Sequence, residues 1–142
     1  MADIAERWQK LSPELQSLVR IVAALMFMSA GTMKLFSIPS PPRGFSLELF
    51  SELGLAGFLE VFGGALILVG FFTRPVAFIL SGEMAVAYFQ VHFAQGYWPT
   101  LNGGQPAVFY CFFWLYLSSA GAGAWSIDAL REKRRASSRE AL

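Results

Sequence analysis

Residues 84–127 read MAVAYFQVHFAQGYWPTLNGGQPAVFYCFFWLYLSSAGAGAWSI, a run of 44 residues without one Asp, Glu, Lys or Arg. Soluble domains carry about 25% charged residues. A stretch this long and apolar suits a bilayer, where a spanning helix takes about 20 residues. Residues 96–105, rich in Gly, Pro and Asn, divide the run into two such stretches.

Working outward, the same criterion gives four spans: residues 15–36, 53–72, 75–94 and 106–125. Residues 1–14 remain as an N-terminal segment and 126–142 as a basic tail, which leaves no room for a soluble catalytic domain. The expected fold is an all-α membrane protein, a four-transmembrane-helix bundle over residues 15–125. Composition agrees: 55% of the 142 residues are hydrophobic, 15% are charged, and the mean hydropathy is +0.48. These values exclude water-soluble disorder and a highly charged nucleic-acid binder. The single cysteine, Cys111, excludes an internal disulfide, a C-x-x-C centre and a thiolate metal cluster. The single histidine, His92, excludes a bis-histidine haem held by one chain. No metal site is expected.

Helix punctuation supports the limits. Ser12-Pro13-Glu14 offers a side-chain cap, a first-turn proline and an acid at the positive helix end. Residues 37–43 contain three prolines and break the chain after the first span. Thr73-Arg74-Pro75 makes a tight turn between the second and third spans. The apolar stretch 21–33 has the length of a signal-peptide core. Acids precede it and three spans follow, so it reads as a retained helix. Basic residues set the orientation. Arg7, Lys10, Arg74 and the five between Arg131 and Arg139 fall on one side of a four-span topology, and only Arg43 on the other. Both termini are therefore expected in the cytoplasm and residues 96–105 outside.

Four ionisable residues interrupt the spans: Arg20, Lys34, Glu60 and Glu83. Each costs about 2.5–3.5 kcal/mol at a helix centre, so each should face the bundle interior and find a partner. Arg20 and Lys34 return to within about 40° of one face at about 100° per residue. Gly31 shares that face. Glu60 shares its face with Ala56, Gly57, Gly63 and Gly64, where small residues admit a second helix. Glu83 aligns with Ala87, Gln90 and Ala94. At about 1.5 Å per residue from the cytoplasmic ends, Arg20 lies at about 6 Å, Glu83 at about 12 Å, Glu60 at about 18 Å and Lys34 at about 27 Å. Depth thus pairs Arg20 with Glu83 and Lys34 with Glu60, a neutral set joined by Gln90. Such a network either locks helix register or marks a proton path or a site for a polar-headed lipid or quinone. Near the outer interface, His92, Gln95, Asn102 and Gln105 form a second cluster. It reads as a head-group or proton-relay site, or as plain interfacial polarity. Six aromatics between Phe109 and Tyr116 face lipid, fill the bundle or line a quinone pocket. The basic tail sets topology and offers anionic lipid or a soluble partner a surface.

Taken in order, these motifs resemble the DoxX family of small four-helix bacterial membrane proteins. Arg20 precedes Gly31-x-x-Lys34-Leu35, then come Glu60-x-x-Gly63-Gly64 and Gly70-Phe71-Phe72-Thr73-Arg74. Gly104-Gln105-x-Ala107 follows, and Gly121-x-Gly123-x-x-Ser126-x-Asp128 closes the series. The resemblance runs from about Val19 to Asp128. It marks Arg74, Ser126 and Asp128 as motif residues and departs at Gln105, where many relatives have Glu. It implies a location in the bacterial cytoplasmic (inner) membrane. It also implies a non-catalytic membrane subunit or scaffold of a quinone- or thiol-linked redox system, with quinone contact and a redox partner protein. A small proton-coupled transporter using Glu60 or Glu83, as a homo-oligomer, and a membrane-protein chaperone are the other readings. Gly31, Gly57, Gly63, Gly64, Gly121 and Gly123 are expected to be helix-packing positions.

Overall fold

The computed structural model describes residues 2–40 and 51–140. Arg43 and two of the prolines expected to break the chain, Pro41 and Pro42, lie outside the described residues. The described residues form six helices and no strand: α1 (Ala2–Lys10), α2 (Ser12–Phe36), α3 (Glu52–Val69), α4 (Thr73–Gln95), α5 (Gln105–Ala120) and α6 (Ile127–Glu140).

Three helices are long and apolar enough to cross a membrane: α2 with 25 residues, α3 with 18 and α4 with 23. The fourth expected span is shorter than read. α5 holds 16 residues and stops at Ala120, five short of the expected end at residue 125. Gly121 ends it with φ of 91°, a conformation closed to most side chains. Its N–H still bonds the Leu117 carbonyl at 2.8 Å. The second stretch likewise stops at Val69 and not at 72, because Gly70 turns left-handed at φ 66° and Phe72 follows at 50°. The Ser12 cap is also corrected. Leu11 stays helical and only it separates α1 from α2, so Ser12 is already inside the helix and caps nothing.

The bundle is built from two hairpins. α2 packs along α3, and α4 packs along α5. Phe27 of α2 joins them, with ring centroids 5.1 Å from Tyr110 and 5.3 Å from Trp114 of α5. Ile67, Ala77, Leu80 and Leu117 complete a dry centre around these rings. The aromatics of α5 divide by helical phase: Trp114 is wholly buried, while Phe109, Phe112 and Tyr116 point outward. An outward apolar surface of this kind is what lipid covers. Two π-helical turns interrupt the regular winding, Leu59–Gly63 in α3 and Tyr88–His92 in α4. Such turns are frequent at functional sites.

Candidate functional site

Packing between α2 and α3 creates the first polar centre. A Cβ on Gly31 would lie 2.8 Å from both Glu60 Cβ and Val61 Cγ2, so only glycine lets α3 cross there. Gly57 meets Lys34 and Leu35 in the same way, Gly63 meets Leu80 and Gly64 meets Met28. The close approach brings Lys34 Nζ to 2.5 Å from Glu60 Oε1, with the two side chains 21% and 4% exposed. The pairing expected from depth is therefore present.

Glu83 enters the same centre from α4. It is close enough to Glu60 and Lys34 to interact electrostatically, and Tyr110 interacts with Glu60. Both Glu83 carboxyl oxygens and Oε2 of Glu60 are buried and have no hydrogen-bond partner among the described residues. One ammonium thus faces two carboxyl groups. Buried polar atoms are normally satisfied, so this centre has acceptor capacity left for a proton or a polar ligand. Gln90 does not belong to it. The π-turn at Tyr88–His92 shifts the helical phase, leaving Gln90 exposed and His92 half-buried.

Arg20 corrects the other pairing. It does not reach Glu83 but sits fully buried at the opposite end of α2, surrounded by backbone carbonyls. Its Nε donates to Ala122 O at 2.7 Å, and its Nη2 donates to Trp125 O at 2.6 Å. Its Nη1 donates to Leu68 O at 2.6 Å and to Ile67 O. The last carbonyls of a helix lack intrahelical donors, and the planar guanidinium supplies them in fixed geometry. Arg20 thereby ties the end of α3 to the segment after α5.

The motif residues gather around this tie. Asp128 accepts from Phe72 N at 3.0 Å and Thr73 N at 2.9 Å, capping the start of α4. Its own N–H bonds Gly70 O at 2.9 Å. Ser126 accepts from Ala129 N at 3.1 Å and so opens α6. Arg74 donates to Ser119 O, where α5 ends. Gly121 and Gly123 lie in this turn, at φ 91° and 80°; Gly123 packs on α2, where a Cβ would run into Pro13 O and Ser17, while Gly121 faces only the Arg74 side chain. Sequence reasoning missed Gln16 and Ser17. Gln16 Nε2 donates to Gly121 O at 2.7 Å, and Ser17 Oγ accepts from Trp125 N at 3.0 Å. Ser17 lies three residues before Arg20, so extending the buried stripe one turn finds it.

In the outer cluster, His92 Nδ1 lies 3.0 Å from Asn102 O. Asn102 is 5% exposed; it donates to Gly96 O at 2.7 Å and accepts from Gly104 N at 2.8 Å. The asparagine therefore organises the loop. Gln95 bonds locally to Val91 O at 3.0 Å, and Gln105 is exposed at the start of α5, so neither joins that pair. Cys111 is half-buried beside Ser81, whose hydroxyl donates to its carbonyl at 2.8 Å. Among the described residues no three His, Cys, Asp or Glu side chains could hold a metal ion together.

A quinone ring needs flat apolar walls and a polar hand for its carbonyl oxygens. A groove of about 250 Å³ between α2 and α5 has both: Leu15, Val19, Phe113 and Leu117 form the walls, and Gln16 and Tyr116 carry the polar groups. Its chemistry fits a single ring better than the interior does, where Phe27 and Trp114 are packed to 1% and 0% exposure.

The chain's similarity to known proteins agrees with this architecture. An "Uncharacterized protein" of Haemophilus influenzae (strain ATCC 51907 / DSM 11121 / KW20 / Rd) is 40% identical over 124 residues, covering 84% of this chain and 92% of that protein. The "Inner membrane protein YqjF" of Escherichia coli (strain K12) is 30% identical over 131 residues, covering 81% and 90%. No solved structure is significantly similar. The DoxX family profile matches residues 15–93, more than half of the chain and the part that supplies Arg20, Lys34, Glu60 and Glu83. With its three apolar helices, the chain is an integral membrane protein and belongs to the DoxX family.

Proposed function

We propose that this chain is a four-span protein of the bacterial inner membrane with both termini in the cytoplasm. Its role is that of a non-catalytic subunit or scaffold of a quinone- or thiol-linked redox system. The location draws on the inner-membrane relative and the orientation on the eight-to-one basic asymmetry. α5 serves as the fourth span: its 16 residues rise about 24 Å, and the segment after Ala120 completes the crossing.

The observation that carries the scaffold reading is the state of the basic residues. Arg20 is tied to four carbonyls and Lys34 is held by Glu60, so the helices are fastened at both ends. A fixed frame suits a partner-holding subunit better than a carrier that must rearrange. The groove of Gln16 and Tyr116 is the place for quinone contact. One observation favours a proton-coupled carrier instead: the Glu83 carboxyl, which has no hydrogen-bond partner among the described residues.

The test is purification in mild detergent with protein and quinone analysis of the co-purified material, beside proton flux in liposomes. The scaffold reading expects a redox partner or quinone, with quinone lost in Gln16→Leu/Tyr116→Phe. It expects Glu83→Gln to keep the partner. A wild-type proton flux abolished by Glu83→Gln in a normally folded protein replaces it with the carrier reading.

A further inference from the structure

At the end of the bundle where Arg20 lies, α6 turns away from α5 and leaves a cleft of about 590 Å³ against the start of α4. Three arginines line it: Arg74 at the start of α4, and Arg131 and Arg135 on α6. Two acids also line it, Asp128 and Glu132. Asp128 is already occupied, because its two oxygens accept from the Phe72 and Thr73 amides. Arg131 is held in place from the side, with its guanidinium carbon 5.3 Å from the Phe71 ring centre and 5.0 Å from that of Phe72. Such stacking orients an arginine while leaving its N–H edge free to bind. Thr73 lines the cleft too; it is wholly buried, and its hydroxyl has no hydrogen-bond partner among the described residues.

The surroundings indicate which anion fits. Phe72, Trp125 and Leu130 are exposed at 49%, 57% and 58% around the same end of the bundle. A soluble anion gains nothing from such a rim, whereas acyl chains cover it. Basic pockets between membrane helices bind phospholipid head groups, and arginine pairs with phosphate through two parallel hydrogen bonds.

We propose that this cleft binds the phosphodiester head group of an anionic glycerophospholipid. Arg131 and Arg135 hold the phosphate, Arg74 closes the side next to α4, and the acyl chains lie over Phe72 and Leu130. The site makes the junction of α4 and α6 lipid-dependent, independently of any redox role.

Native mass spectrometry of the detergent-purified full chain, titrated with phosphatidylglycerol and with phosphatidylcholine, tests this. The expected result is one tightly held phosphatidylglycerol, preferred over phosphatidylcholine and not displaced by inorganic phosphate. Arg131→Gln/Arg135→Gln should weaken it about thirtyfold, at about a factor of five per arginine near a lipid surface. Lys133→Gln/Arg139→Gln removes the same charge from the same helix outside the cleft and should weaken it less than about threefold. Both pairs lie on α6, and unchanged helical content by circular dichroism confirms folding. Equal losses in the two double variants would show a diffuse electrostatic tail and overturn the site. Full displacement by inorganic phosphate would make it a soluble-anion site and overturn the lipid.

Discussion

The two ends of α2 solve the same problem in opposite ways. At one end Arg20 is buried completely, and four carbonyls take up its guanidinium. At the other, Lys34 and Glu60 pair while Glu83 stands by with neither oxygen hydrogen-bonded among the described residues. A charge whose hydrogen-bonding groups are used by the fold acts as a fastener. A charge whose groups are left over is available for a proton or a ligand. Burial alone does not separate the two cases; the inventory of partners does.

The largest way to break this contrast is Arg20→Ala. It leaves several buried carbonyls without donors, each at about 1–3 kcal/mol. The expected loss is at least about 3 kcal/mol, seen as a collapse of monodisperse yield in detergent. Arg20→Lys should not restore it, since a point-like ammonium cannot serve four carbonyls on two chain segments at once.

Gly31→Ala comes next. The added methyl must enter space filled by Glu60 Cβ, Val61 Cγ2 and the Gly57 carbonyl, which lie 2.8, 2.8 and 2.9 Å away. Overpacking of this kind costs about 1–3 kcal/mol. Because the same contact sets the Lys34–Glu60 distance, a double-mutant cycle on that pair should show weaker coupling in the Gly31→Ala background.

A smaller effect is expected from Asp128→Asn. It keeps one acceptor for the amides that start α4 but loses the charge and one bond, for about 0.5–2 kcal/mol in thermal unfolding. An effect as large as that of Arg20→Ala would mean that Asp128, and not Arg20, fastens this end.

Much of this architecture is legible in the sequence, for physical reasons that differ by residue. The first three spans follow from apolar length. The Lys34–Glu60 pair follows from depth and from the glycines beside it, because glycine at a helix contact has no side chain to misplace. The end of α5 is not legible by hydropathy: Gly121-Ala122-Gly123-Ala124 reads as apolar, and the positive φ that stops the helix leaves no compositional mark. The partners of Arg20 are not legible, because they are backbone carbonyls, which every residue has. The exposure of Gln90 is not legible either, because a π-turn changes the phase within a helix that otherwise keeps its 3.6-residue period.

The central claim is that Arg20 is structural capital of the fold while Glu83 is not. Thermal unfolding of Arg20→Gln and Glu83→Gln, side by side in the same detergent, tests it most directly. Glu83 has no hydrogen-bond partner to lose among the described residues, and an amide is less costly to bury than a carboxylate. The account therefore predicts that Glu83→Gln melts at or above the wild-type temperature while Arg20→Gln falls far below it. A Glu83→Gln protein that is destabilised as strongly as Arg20→Gln would contradict it.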